Sequence, residues 1–112
     1  MQTIEHVCSF DFLIIVFCPE IINGLDMTAV HCLDTRSQKW KKPDKIIGSA
    51  KSIVSFRKEK RLYILQTDGK LWEVNQEEVS SVRLKLLKRL WNGNIKMYGV
   101  ININEFLYFI TG

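Results

Sequence analysis

Five residues of this chain are of the types that hold zinc: His6, Cys8, Cys18, His31 and Cys32. A structural zinc site needs four such ligands converging tetrahedrally, and chains that build one usually carry short pairs such as Cys-x-x-Cys. No such pair occurs here. His31 and Cys32 are adjacent in VHCLD, a stretch that reads as a strand, so their side chains point to opposite faces. We read the cysteines as small buried hydrophobes and the histidines as ordinary ones, and expect no metal and no cofactor. His31 could also serve as a general base, but its near carboxylate in sequence is Asp34 and nothing places a nucleophile beside it. There is no phosphate-cradling glycine loop, no His-Glu-x-x-His and no Gly-x-Ser-x-Gly, so the expectation is a non-enzymatic chain with no catalytic residues. Trp40, Trp72, Trp91, Tyr63, Tyr98 and Tyr108 could stack nucleobases, yet most lie among apolar residues in strand-like runs, where core packing is the default.

Charge offers a second chemistry. The formal net charge is +4, and the basic residues gather in three groups: Lys39, Lys41, Lys42 and Lys45; Arg57, Lys58, Lys60 and Arg61; and the run from Arg83 to Arg89. Clusters of this kind bind nucleic acid or anionic membrane when they share one surface, and otherwise are solvated strand ends and loops. The second reading ranks first, and nucleic acid or anionic membrane stands as the alternative partner.

At 112 residues with 46% hydrophobic content, the chain is long enough for one small domain with a modest core. An odd cysteine count without an Asn-x-Ser/Thr acceptor argues against a disulfide-built secreted module and for a reducing, cytoplasmic setting. FLIIVFC, at 12–18, resembles the core of a signal peptide. However, residues 1–11 contain Glu5 and Asp11 and no Lys or Arg, the run is too short to span a bilayer, and Phe17-Cys18-Pro19 is a poor cleavage site. It reads as a buried strand, and no transmembrane segment is expected.

RLYILQTDGKLWEVN, at 61–75, places Asp68-Gly69 between apolar runs, which predicts a hairpin closed by a two-residue type I′ turn. Its strands are apolar on both faces, so something must cover both. FLIIVFC, RLYILQTDG and FLYFITG form a weak repeat in which Leu13, Leu62 and Leu107 are equivalent, at separations of 49 and 45 residues. VHCLD and LWEVN form a second register, matching Leu33 to Val74 and Asp34 to Asn75. Repeats of this period correspond to four-stranded propeller blades, whose middle strands are covered on both sides. The expected architecture is all-β with antiparallel four-stranded blades, an incomplete propeller filling residues 1–112. Blade 1 runs from about 5 to 42, with strands near 5–10, 12–18, 28–34 and 38–42. Blade 2 runs from about 51 to 90, with strands near 51–56, 61–67, 70–75 and 82–90, and a third blade begins at about 95–112. The segment 75–94 has a competing reading. Val79, Val82, Leu86, Leu87 and Leu90 form a helical stripe, Asn75 and Glu78 a capping pair, and 79–91 a basic amphipathic helix suited to membranes or helix-binding grooves; the repeat favours a strand.

In these features the chain resembles the kelch-repeat family. LDTRSQKW supplies an acidic residue, Asp34, followed six positions later by Trp40, and FLYFITG stops where a glycine pair would begin. The first blade has CPEIINGLDM in place of the glycine pair, the second has only Gly69, and Ser81 stands where a Trp would follow Asn75. The resemblance implies protein–protein recognition through loops on one face. Here these would present Glu20, Asn23 and Asp26 from a long loop of the first blade, with Asp44, Lys45 and Lys51 from the inter-blade loop. It further implies descent from a substrate receptor of a cullin-type ubiquitin ligase, whose members join the propeller to a BTB domain, or else an actin-binding, cytoskeletal role. About two and a half blades cannot close a ring, so a fragment, a truncated isoform or a degenerate copy is expected, with self-association through an exposed edge at 100–112.

Overall fold

The computed structural model describes residues 3–75 and 80–112. Strands hold 67% of the described residues, among which there is no α-helix, only a 3₁₀ turn at Ala50–Ser52. The all-β expectation is met: the sheets are antiparallel and none closes into a barrel. Among the described residues no helix is long and apolar enough to cross a membrane. The chain divides into two compact units, Met1–Lys51 with Asn75–Leu84, and Ser52–Val74 with Lys85–Gly112.

In the first unit β1 (His6–Phe10), β2 (Leu13–Ile22), β3 (Leu25–Asp34) and β4 (Lys39–Trp40) pair antiparallel in chain order, and β5 (Asp44–Ile47) joins the same edge of β3 as β4. β2 and β3 pair from Leu13↔Asp34 to Ile22↔Leu25, ten residues each. Ile15, Phe17, Thr28, Val30 and Cys32 are buried on one face and Val16, Cys18 and Ala29 on the other, which is why this stretch carries continuous apolar runs instead of alternation. The one polar member, Thr28, donates its hydroxyl to the Gly48 carbonyl at 2.8 Å, so its burial leaves no orphaned group.

The structure corrects the long loop expected over 19–27. Asn23 and Gly24, at φ of 52° and 77°, close a two-residue turn between Ile22 and Leu25. Two successive left-handed residues match the twist of the flanking strands, so the ladder runs to the turn itself. β5 is likewise an element the sequence reading left in a loop; it forms because Lys45, Ile46 and Ile47 find unpaired groups on Met27–Ala29.

The second unit contains β6 (Ile53–Lys58), β7 (Arg61–Gln66) and most of β8 (Lys70–Asn75) and β9 (Arg83–Arg89), adjacent in that order, and a separate hairpin of β10 (Met97–Ile103) and β11 (Phe106–Thr111). β7 is the inner strand: Leu62 and Ile64 on one face and Leu65 on the other are at most 1% exposed. The turn after it differs from expectation. Tyr63↔Glu73 through Leu65↔Leu71 continues to Gln66 opposite Lys70, leaving a three-residue loop, Thr67 to Gly69, in which Gly69 alone is left-handed at φ 92°. The longer loop exists because the chain at 89–95 uses it. Leu90 N–H donates to the Gly69 carbonyl (2.7 Å), Trp91 Nε1 and Ile95 N–H to that of Thr67 (2.9 Å each), and Arg89 Nε to that of Asp68 (2.9 Å).

The competing helix is replaced by β9. Val82, Leu84 and Leu86 alternate with Arg83 and Lys85, and an open edge on β8 offers the backbone partners a strand needs. Glu78 and Val79 of the helical reading lie outside the described residues.

Candidate functional site

The six residues expected to form a binding face all belong to the first unit, and four of them meet. Glu20 on β2 and Lys45 on β5 lie on the same face of the sheet, two strands apart, and their charged groups approach to 2.8 Å. Asp26 and Lys51 join Glu20 around a cavity of about 400 Å³ whose walls also include Ile21, Met27 and Ser49. Lys51 is placed there by the 3₁₀ turn, which its N–H helps form by donating to Ser49 Oγ at 3.2 Å.

The other two residues do different work. Asn23 sits at the tip of the β2–β3 hairpin, where its left-handed backbone is the requirement. Asp44 turns its carboxylate inward: Oδ1 accepts from Lys45 N–H and Oδ2 from Leu84 N–H, each at 2.8 Å. With Lys42 N–H donating to the Ser80 carbonyl (2.7 Å) and Val82 N–H to that of Lys42 (2.8 Å), Asp44 ties residues 80–84 to the strand edge, a structural role.

What the sequence reading missed is apolar. Ile22, Leu25 and Ile47 share a face with Glu20 and Lys45, and Ile21 emerges on the opposite side. Their exposure is high: 76% for Ile21, 53% for Leu25 and 60% for Ile47. The result is an apolar hairpin end in which Leu25 and Ile47 lie on one face with Glu20 and Lys45, and Ile21 lies on the other with Asp26. The signal was available: Asn-Gly flanked by Ile-Ile and Leu is a hairpin signature, and it would have put these residues in cross-strand contact.

The candidate chemical residues are separated. Cys32 and His31 point to opposite faces of β3, and the His31 ring stands edge-on to Trp40 at 6.4 Å. Among the described residues, no three His, Cys, Asp or Glu side chains converge on a metal position. Burial pushes the Cys18 thiol up, with Glu20 adding to it, and burial does the same at Cys32. Both are therefore protonated and poorly nucleophilic at neutral pH.

Asp34, the acidic residue of LDTRSQKW, organises the turn after β3. Its Oδ1 accepts from Arg36 N–H (2.9 Å) and Ser37 N–H (3.4 Å), and the Arg36 guanidinium lies 3.3 Å over the Phe12 ring. Desolvation pushes the Asp34 carboxyl up, but the N–H and guanidinium of Arg36 together with the N–H of Ser37 outweigh it and hold the group below the usual carboxylate range. No protein-family profile, curated protein or solved structure matches the chain.

Proposed function

We propose that the chain is a non-catalytic protein-recognition module built of kelch-like propeller blades, with the hairpin end of β2 and β3 as its binding surface. The observation that carries the reading is the exposed hairpin end itself, with Leu25 and Ile47 beside Glu20 and Lys45 on one face and Ile21 beside Asp26 on the other. A two-strand projection that carries exposed apolar side chains with charged neighbours on both faces suits a protein partner, since the apolar groups supply desolvation energy and the charges supply register.

The blade-like arrangement is supported by two successive sheets of consecutive antiparallel strands, each with its second strand buried on both faces, followed by a hairpin. Leu13 and Leu62, matched in the repeat, lie at the start of those two buried strands, and Leu107 lies at the start of β11. On the family resemblance, the partner is a substrate of a cullin-type ubiquitin ligase or a cytoskeletal protein. Capture with the full chain as bait, against a variant carrying Ile21→Asp, Leu25→Asp and Ile47→Asp, tests the proposal. Partners should be lost from the variant while its circular dichroism is unchanged. Equal capture by a folded variant would remove this surface from the reading.

A further inference from the structure

The β10–β11 hairpin has two unlike faces. Its register sets Val100 opposite Phe109 and Asn102 opposite Leu107 on one face, and Gly99 opposite Ile110, Ile101 opposite Tyr108 and Ile103 opposite Phe106 on the other. The first face is partly covered; Phe109 meets Phe56 of β6 edge-on at 6.1 Å. The second face is bare: Ile101 is 49% exposed, Ile103 52%, Phe106 68%, Tyr108 51% and Ile110 45%. It carries no charged residue.

We propose that this face is the interface of a homodimer, in which the hairpins of two copies pack face to face and antiparallel. This goes beyond the recognition reading and does not rest on it. Three observations select a second copy. The first is area: five apolar side chains exposed to this degree present on the order of 500 Å² per copy, hence about 1,000 Å² across the pair, which reaches the size of a specific interface. The second is shape: the antiparallel arrangement sets Ile103 of each copy over Gly99 of the other, where there is no side chain to displace. The third is charge. Lys96 stands at the open end of the hairpin and Glu105 in its turn, so antiparallel packing brings Glu105 of each copy to the Lys96 end of the other, whereas parallel packing would bring like charges together. The interface is isologous and therefore closes at two copies. Edge-to-edge pairing through β11, by contrast, would leave both apolar faces in water and enlarge the exposed patch.

Sedimentation velocity on the full chain from about 1 to 100 μM tests this. A monomer–dimer equilibrium is expected. Tyr108→Lys should abolish the dimer, and Glu105→Lys should raise its dissociation constant about tenfold at low salt. Lys96→Glu added to Glu105→Lys should restore most of the loss, which a merely misfolded hairpin would not allow. Amide exchange provides the second readout, since face packing adds no hydrogen bonds at the outer edge of β11. A monomer throughout the range, a dimer indifferent to Tyr108→Lys, no rescue by the charge swap, new protection along that edge, or assembly beyond two copies would each overturn the proposal.

Discussion

Gly69 shows how much one residue can be asked to do. It is left-handed at φ 92°, and a Cβ there would stand 2.8 Å from the Trp91 amide nitrogen and closer still to its carbonyl oxygen, both backbone atoms that cannot swing aside. Gly24 is also left-handed, at φ 77°, but has nothing within 4 Å. The pair separates conformational strain from collision. Gly24→Ala should cost about 1 kcal/mol, the strain alone, whereas Gly69→Ala should cost at least ~2 kcal/mol because the chain at 89–95 must let go of the loop. Urea unfolding of the two variants measures the difference, and equal costs would mean that the Trp91 contact is soft. Asp34 supports a pH prediction. A carboxyl whose folded pKa is depressed stabilises the native state above its unfolded pKa, about 3.9, and that contribution is lost as pH falls through the lower folded value. Asp34→Asn keeps an acceptor for the Arg36 and Ser37 N–H groups but does not titrate. Its stability should therefore fall less than that of the wild type between pH 5 and 3 in chemical denaturation, and parallel pH profiles would show that the turn contributes nothing through its charge.

Edge management is what matters for individual elements. β9 is the outer strand of its sheet, and Arg83, Lys85, Lys88 and Arg89 lie along it while Leu86 and Leu87 remain 49% and 40% exposed. Lysine and arginine on an edge strand oppose pairing with another chain, and this gives the third basic cluster a structural account that needs no nucleic acid. Lys85→Val with Lys88→Val should turn the strand into an aggregation template, seen as light scattering or thioflavin binding at concentrations where the parent stays clear. A clear solution of the double variant would show that the edge is protected by other means. β10 uses a different device, a register shift between Met97 and Gly99, whereas β11 is regular along its length. The β7–β8 hairpin is stabilised from its surface as well: Arg61 grips Glu73 through both carboxylate oxygens, at 2.6 and 3.2 Å, and Phe56 stacks on Tyr63 at 5.3 Å.

Over the whole molecule, the competing forces are the net charge of +4 and the apolar ends of the sheets. If recognition runs through Ile21, Leu25 and Ile47, partner capture should change less than about threefold between 50 and 200 mM salt, because only the neighbouring charges are screened. Binding through the basic groups to RNA or anionic vesicles should instead collapse by orders of magnitude over that range. A capture profile that falls steeply with salt, and that Arg83→Glu with Lys85→Glu abolishes, would reverse the order of the two readings.

Sequence alone determined the strand content and much of the strand placement. Patterns such as FLIIVFC, RLYILQ and FLYFIT are local statements about which backbone conformation lets apolar side chains leave water, and nothing in the tertiary structure contradicts them. The family resemblance grouped Glu20, Asn23, Asp26, Asp44, Lys45 and Lys51 on one loop face, whereas the structure puts Glu20 and Asp26 on opposite faces of a continuous hairpin and engages Asp44 with Leu84 N–H. Tertiary structure decided what depends on a second segment. The loop at Asp68-Gly69 has three residues because the chain at 89–95 docks on it, β5 exists because the extended β3 leaves groups to pair, and Asp44 faces inward because Leu84 N–H, 40 residues away, requires an acceptor. The apolar part of the candidate surface depended on the same kind of information. Whether Ile21, Leu25 and Ile47 are core or surface depends on where the sheet ends, and burial is a property of the neighbours a residue finds, not of the residue.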